Sequence, residues 1–81
     1  MNLDELESII EAEIPDATAT VSRARGSHDD DHLAATVISP AFEGESLVDQ
    51  HEMVYDALGE RMTTDIHALE LKTYTPEQYD G

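Results

Sequence analysis

The sequence predicts an α+β domain with the order α-β-β-α-β-α, in which a three-stranded mixed sheet carries the helices on one face. Three observations predict this fold. Segments with apolar residues at helical spacing alternate with segments of period two. The polar stretch between the first two strand-like segments is short enough for a hairpin. The stretch between the second and third is long enough for a helical crossover. The 81 residues fit a single domain, 1–81.

The first helix is expected over residues 2–13. Asn2 suits the cap position, acidic residues occupy the first turn, and Pro15 prevents further extension. The apolar residues that recur at helical spacing are Leu3, Leu6, Ile9, Ile10 and Ile14. This pattern predicts a helix with one apolar face toward the sheet.

The first two strands are expected over residues 18–24 and 33–39, where β-favouring residues are concentrated. Residues 25–31 are polar and contain a glycine, as expected of a turn. The two strands should therefore form an antiparallel hairpin. Pro40 ends the second strand.

A second helix is expected to begin after Ser46, which with Asp49 resembles a capping arrangement, and to run to about Glu60. Its apolar stripe consists of Leu47, His51, Val54 and Leu58. Because His51 falls on this stripe, we expect it to be partly buried and hydrogen-bonded as a core residue.

The third strand is expected over residues 66–72, where alternate side chains lie on opposite faces of the sheet. His67, Leu69 and Leu71 share the apolar face. Pro76 then opens a last helical turn. His67 is therefore a second histidine that we expect to be partly buried.

Charge is the strongest signal in the composition. The chain has 19 Asp and Glu against 4 Lys and Arg, a formal net charge of −15, although 40% of its residues are apolar. That apolar fraction argues against disorder. In ~1 M salt the screening length falls to ~3 Å, so self-repulsion largely disappears. The sequence is thus typical of a protein from an extreme halophile; because the acids are spread along the chain, an acidic mimic of basic partners is less favoured.

The chain contains no cysteine, which excludes disulfides, thiolate catalysis and a self-contained zinc or iron–sulfur site based on cysteine. No nucleophile stands beside a base in a recognisable motif, and no phosphate-binding loop is present, so we expect no enzyme activity. The N-terminus lacks a basic signal-peptide region, and no window approaches a membrane span. We therefore expect a soluble cytoplasmic protein.

Four motifs in a fixed order resemble the BolA family. They are Ser39-Pro40-Ala41-Phe42-Glu43-Gly44, His51-x-x-Val54-Tyr55-x-x-Leu58, Ile66-His67-Ala68-Leu69 and Thr73-Tyr74-Thr75-Pro76. The resemblance is densest over residues 33–79. It implies a fold similar to a class II KH domain and an accessory role, beside monothiol glutaredoxins, in iron–sulfur cluster trafficking or iron homeostasis. Some members of the family are instead described as DNA-binding regulators.

The resemblance also implies a site. In the glutaredoxin complexes of this family, a [2Fe–2S] cluster is held by the glutaredoxin cysteine, a low-molecular-weight thiol and two groups from the BolA-like protein. His67, the motif histidine, corresponds to one of these groups. The other comes from the loop between the first two strands, where we favour His28 and keep His32 as the alternative. Two histidines alone do not make a cluster site, so the chain would act only in a complex.

A DNA-binding regulator is the second hypothesis. Where relatives commonly carry Arg-His-Arg, this chain has Gln50-His51-Glu52, and the G-x-x-G loop of true KH domains is missing. The four basic residues are too few for the phosphate neutralisation that dominates nucleic-acid binding. The sequence leaves open whether the chain is a monomer or a homodimer.

Overall fold

A computed structural model describes residues 2–26, 32–59, 61 and 68–80. Its helices are α1 (Leu3–Glu13), α2 (Leu47–Leu58) and α3 (Pro76–Asp80); its strands are β1 (Thr18–Arg23), β2 (His32–Ile38) and β3 (Ala68–Tyr74); a short 3₁₀ helix spans Pro40–Phe42. The predicted order of helices and strands is confirmed, and the bounds differ only at the ends of elements. No helix in these ranges is long and apolar enough to cross a membrane.

The three strands form one mixed sheet in the order β1-β2-β3. β1 and β2 are antiparallel, with Thr18 opposite Ile38. β2 and β3 are parallel, with His32 opposite Ala68 and Ile38 opposite Tyr74. The predicted hairpin and the crossover through α2 are both confirmed, and β1 and β3 are left as the outer strands.

Side-chain caps fix the start of both long helices. The Asn2 side chain accepts hydrogen bonds from the backbone N–H groups of Asp4 (2.9 Å) and Glu5 (3.4 Å). The Ser46 hydroxyl accepts one from the Asp49 N–H (3.1 Å). Each cap satisfies N–H groups that have no partner within the helix. Both predicted caps are therefore confirmed.

The hydrophobic core lies between the two long helices and one face of the sheet. It consists of Leu6, Ile10, Ile14, Ala19, Val21, Leu33, Ala35, Val37, Phe42, Val54 and Leu58. Alternate residues of β1 and β2 belong to it, while the intervening ones are exposed or half-buried. This alternation confirms that one face of the sheet is covered and leaves the other accessible.

The predicted stripe of α2 is wrong at its first position. Leu47 is 62% exposed, whereas Gln50 is only 8% exposed and lies in the interior with Val54 and Leu58. These three residues follow i, i+4 and i+8, so the buried line of the helix passes through Gln50 rather than Leu47. His51, beside that line, is half-buried as expected.

The outer edge of β1 is closed by α1. The carboxylate of Glu7 accepts a hydrogen bond from the Val21 N–H (2.8 Å), and that of Glu11 accepts one from the Ala19 N–H (3.0 Å). Residues i and i+4 of a helix are separated by about 6 Å along its axis, and alternate residues of a strand by about 6.6 Å. The two spacings match, so two carboxylates of α1 can reach two successive outward N–H groups.

Candidate functional site

The predicted ligands His67 and His28 lie outside the described residues. His32 is the first residue of β2 and is half-buried. Its register partner in β3 is Ala68, the residue that follows His67 in the sequence. The Ala24 N–H donates to the His32 carbonyl (2.8 Å), so the hairpin that contains the His28 position is closed at this same end of the sheet. The residues that flank the His28 position and the residue that follows His67 therefore lie at the same end of the sheet.

His51 contributes to a second polar site, between α2 and β3. It lines a cleft of about 260 Å³ whose other walls are Leu47, Leu71, Lys72, Thr73 and Tyr74. The Nε2 atom of His51 is buried and has no hydrogen-bond partner in the described part of the chain. The expectation that His51 is a hydrogen-bonded core residue is therefore not met at Nε2. An unpartnered buried ring nitrogen is uncommon, because it loses hydration without a compensating bond.

Gln50 anchors α2 to β3 beside this cleft. Its side-chain oxygen accepts a hydrogen bond from the Thr73 hydroxyl (2.6 Å). Its side-chain NH₂ donates to the carbonyl groups of Glu45 (2.9 Å) and Phe42 (3.3 Å). One side chain thus fixes the second helix, the outer strand and the preceding turn relative to each other. The predicted apolar stripe of α2 does not include Gln50, although its spacing with Val54 and Leu58 could have indicated that it is buried.

The basic residues lie in three parts of the described chain. Arg61 forms an exposed ion pair with Glu5 (3.4 Å), a type of contact that contributes about 0–1 kcal/mol. Arg23 ends β1 and Arg25 follows it, whereas Lys72 lies on β3. Among the described residues, no group of three or more His, Cys, Asp or Glu could hold a metal ion.

Fold and site together define a small α+β domain with a histidine at one end of its sheet and a second histidine in a cleft beside the outer strand. The family model for BolA-like protein matches residues 4–78. The chain therefore belongs to the BolA family, and the resemblance seen in its motifs is confirmed.

Individual relatives agree with this assignment. A solved BolA homologue from Coxiella burnetii superposes with a TM-score of 0.83, at 35% identity, over 100% of this chain and 99% of that one. The DNA-binding transcriptional regulator BolA of Escherichia coli is 38% identical over 50 residues, which are 62% of this chain and 48% of that protein. The SufE-like protein 1 of Arabidopsis thaliana is 35% identical over 85% of this chain, but the match spans only 20% of that protein. The solved BolA domain of SufE1 from Arabidopsis thaliana superposes with a TM-score of 0.77, at 29% identity, over 93% of this chain and 92% of that one.

Proposed function

We propose that this protein is an accessory factor in iron–sulfur cluster trafficking or iron homeostasis that shares a [2Fe–2S] cluster with a monothiol glutaredoxin. His67 and His28 would be its ligands, with His32 as the alternative to His28. The observation that carries the proposal is the register of β2 and β3, in which His32 lies opposite the residue that follows His67. Membership of the BolA family supports it.

The donor set fits a shared cluster rather than a resident one. A neutral imidazole nitrogen can ligate iron, as it does in clusters where two histidines replace two cysteines on one iron. The chain has four histidines and no cysteine. The thiolates must therefore come from other molecules. The SufE-like relative, in which the BolA-like part is one segment of a longer protein, is consistent with action beside a second protein unit. We propose no enzymatic activity for this chain.

We further propose that the protein works in the salt-rich cytoplasm of an extreme halophile and that its fold belongs with the class II KH domains. The net charge of −15 supports the first proposal, because such a charge is tolerated best where screening is strong. The mixed sheet with its α2 crossover supports the second.

Spectroscopy of the reconstituted complex tests the cluster proposal. The protein is mixed at molar salt with a monothiol glutaredoxin, glutathione, iron and sulfide, and the visible absorption is compared with that of His67→Ala. We expect His67→Ala to lose most of the absorption that depends on the complex, because the cluster loses a ligand. Equal absorption from the two proteins would remove His67 from the site.

Two further variants identify the second ligand. We expect His28→Ala to weaken the cluster signal and His32→Ala to retain it. The reverse result would assign the role to His32. Circular dichroism of each variant before reconstitution separates the loss of a ligand from the loss of fold.

The competing proposal is a DNA-binding regulator, and the name of the Escherichia coli relative favours it. Its electrostatic term would be small here, because the basic residues are few and are spread over different elements. A salt titration of binding to labelled duplex DNA separates the two proposals. Sequence-specific binding that persists at molar salt would favour the regulator.

A further inference from the structure

The outer strand β3 has hydrogen-bonding groups that point away from the sheet. The Ser39 N–H donates to the Tyr74 carbonyl (3.0 Å), so the backbone N–H and C=O of Tyr74 point toward β2. In a parallel pair, the N–H and C=O of one residue point to the same side, and successive residues alternate. The outward residues are therefore Leu69, Leu71 and Thr73. No group in the described part of the chain donates to or accepts from their backbone.

An unpaired edge of this kind can accept another strand. We propose that β3 pairs with β3 of a second copy of this chain, antiparallel, about a two-fold axis at Leu71. Leu71 would then face Leu71 of the second copy, and Leu69 would face its Thr73. The outward N–H and C=O groups of all three residues would be satisfied, and the two sheets would become one continuous sheet.

The charged side chains of β3 favour a second copy of this chain as the partner strand, and they favour the register with the axis at Leu71. Glu70 and Lys72 are exposed, share the open face of the sheet and have no ion-pair partner among the described residues. With the axis at Leu71, Glu70 of each copy faces Lys72 of the other. An axis at Glu70 or at Lys72 would instead place like charges opposite each other. Opposite charges at facing positions stabilise a strand pair, and like charges destabilise it.

The geometry of the pairing brings these charges close together. Because Glu70 and Lys72 direct their backbone groups to β2, they would occupy non-hydrogen-bonded positions of the new pair, where facing side chains are closest. Lys72 is the only lysine of the chain. The single ammonium side chain of a very acidic protein thus lies where a two-fold pairing would set it against a carboxylate.

The apolar surface beside the β3 edge also favours pairing with a second copy of this chain. The cleft next to β3 is lined by Leu47, which is 62% exposed, and by His51 and Thr73. In the proposed register, Leu69 of the second copy faces Thr73 on the side of the sheet that carries α2. Its side chain would enter this cleft, cover Leu47 and remove apolar surface from water.

Charge reversal at the two facing positions tests the register. Sedimentation velocity is measured at molar salt, where repulsion between two acidic chains is screened, for wild type, Glu70→Lys, Lys72→Glu and the double variant with both changes. Each single change replaces both attractive pairs by repulsive ones, so we expect the dimerisation constant to fall about tenfold or more. The double variant restores opposite charges, and we expect it to dimerise like wild type.

Two control variants separate this pairing from general charge effects. Glu13→Lys at the end of α1 and Arg25→Glu beside the hairpin make the same changes in net charge at exposed positions away from β3, and we expect both to leave the dimer unchanged. A wild type that stays monomeric at every concentration would overturn the proposal and would assign Glu70 and Lys72 to protecting the edge. A dimer that ignores both reversals, or that the double variant fails to restore, would also overturn it.

Amide hydrogen exchange supplies a test that needs no variant. As protein concentration rises, the amides of Leu69, Leu71 and Thr73 should become protected, whereas those of Ala19 and Val21 should stay unchanged. Protection of β3 that does not depend on concentration would contradict the pairing. Both experiments use the protein without iron or glutaredoxin, so their outcome is separate from that of the cluster proposal.

Discussion

The two outer strands of the sheet differ in the hydrogen-bond partners of their outward-pointing backbone groups. At β1, the carboxylates of Glu7 and Glu11 accept hydrogen bonds from the outward N–H groups of Val21 and Ala19. At β3, the corresponding groups of Leu69, Leu71 and Thr73 meet no partner among the described residues. The outward N–H groups of Val21 and Ala19 at β1 thus have partners within the chain, whereas the described part of the chain supplies none at β3.

The difference shows what acidic side chains can do in this fold. An ionised carboxylate accepts hydrogen bonds but cannot donate them, so it suits an edge that presents N–H groups. Two of the many acids therefore have a structural role at β1, beyond their contribution to net charge. At β3 the charged side chains lie on the open face and leave the backbone uncovered. Among the described residues, β3 is therefore the edge at which we propose association.

The largest effect should follow from removing the side chain that holds α2 against β3. Gln50→Ala deletes the bonds to Thr73, Glu45 and Phe42 and leaves the buried Thr73 hydroxyl without its acceptor. We expect unfolding in urea to show a loss of about 2–4 kcal/mol. Gln78→Ala in α3 is the matched control: it removes one exposed hydrogen bond, which the Gln78 side-chain oxygen accepts from the Thr75 N–H (3.0 Å), and it should cost less than about 1 kcal/mol. Equal losses would show that the buried network contributes little.

Opening the β1 edge should have the next largest effect. Glu7→Ala removes the acceptor of the Val21 N–H, and a hydrogen bond to a charged group contributes about 1.5–3 kcal/mol. Glu13→Ala changes the net charge equally at the exposed last residue of the same helix, and should stay within about 0.5 kcal/mol of wild type. The Val21 amide should also exchange faster in Glu7→Ala alone. If Glu13→Ala has the same effect, helix charge rather than edge closure is responsible.

The sequence predicted the order of elements and both caps, because these depend on local patterns. Buried and half-buried residues alternate along β2, and Ser46 precedes Asp49 at capping distance. It did not predict the closure of β1 by Glu7 or the anchoring role of Gln50. Both depend on contacts between elements that are distant in the sequence. The acid-rich composition also obscures which carboxylate has a partner, since Glu7 and Glu13 look alike until α1 is placed on the sheet.

The sequence predicted less of the candidate site than of the fold. His32 lies opposite Ala68, which agrees with a pair of ligands at one end of the sheet. The sequence indicated the crossover between these strands but not their register. The assignments of His67 and His28 stay predictions. His51 was expected to be buried, and it is half-buried. Its unpartnered Nε2 could not be predicted, because helical periodicity gives the position of a side chain but not the partners of its atoms.

A change in salt concentration should affect the charge repulsion of the whole chain much more than the hydrogen bonds at the β1 edge. If screening at molar salt contributes about 1 kcal/mol, the melting temperature should rise by about 4–8 °C relative to dilute buffer. The cost of Glu7→Ala should change much less, because its hydrogen bond is partly buried and short. Calorimetry of both proteins at low and molar salt measures the two effects together. An unchanged melting temperature for wild type would contradict the proposed adaptation to high salt.

The smallest effect is expected beside the β3 edge, at His51. Its Nε2 is buried without a partner in the described part of the chain, so this atom lost its hydration and gained no bond. Replacing such a group by an apolar one of similar size is neutral or stabilising. We therefore expect His51→Leu to raise the free energy of unfolding by about 0–1 kcal/mol. Gln50→Leu makes a similar polar-to-apolar change one residue earlier, where the side chain has three partners, and should instead be destabilising. A loss above about 1 kcal/mol in His51→Leu would mean that Nε2 is satisfied in solution, for example by a bound water.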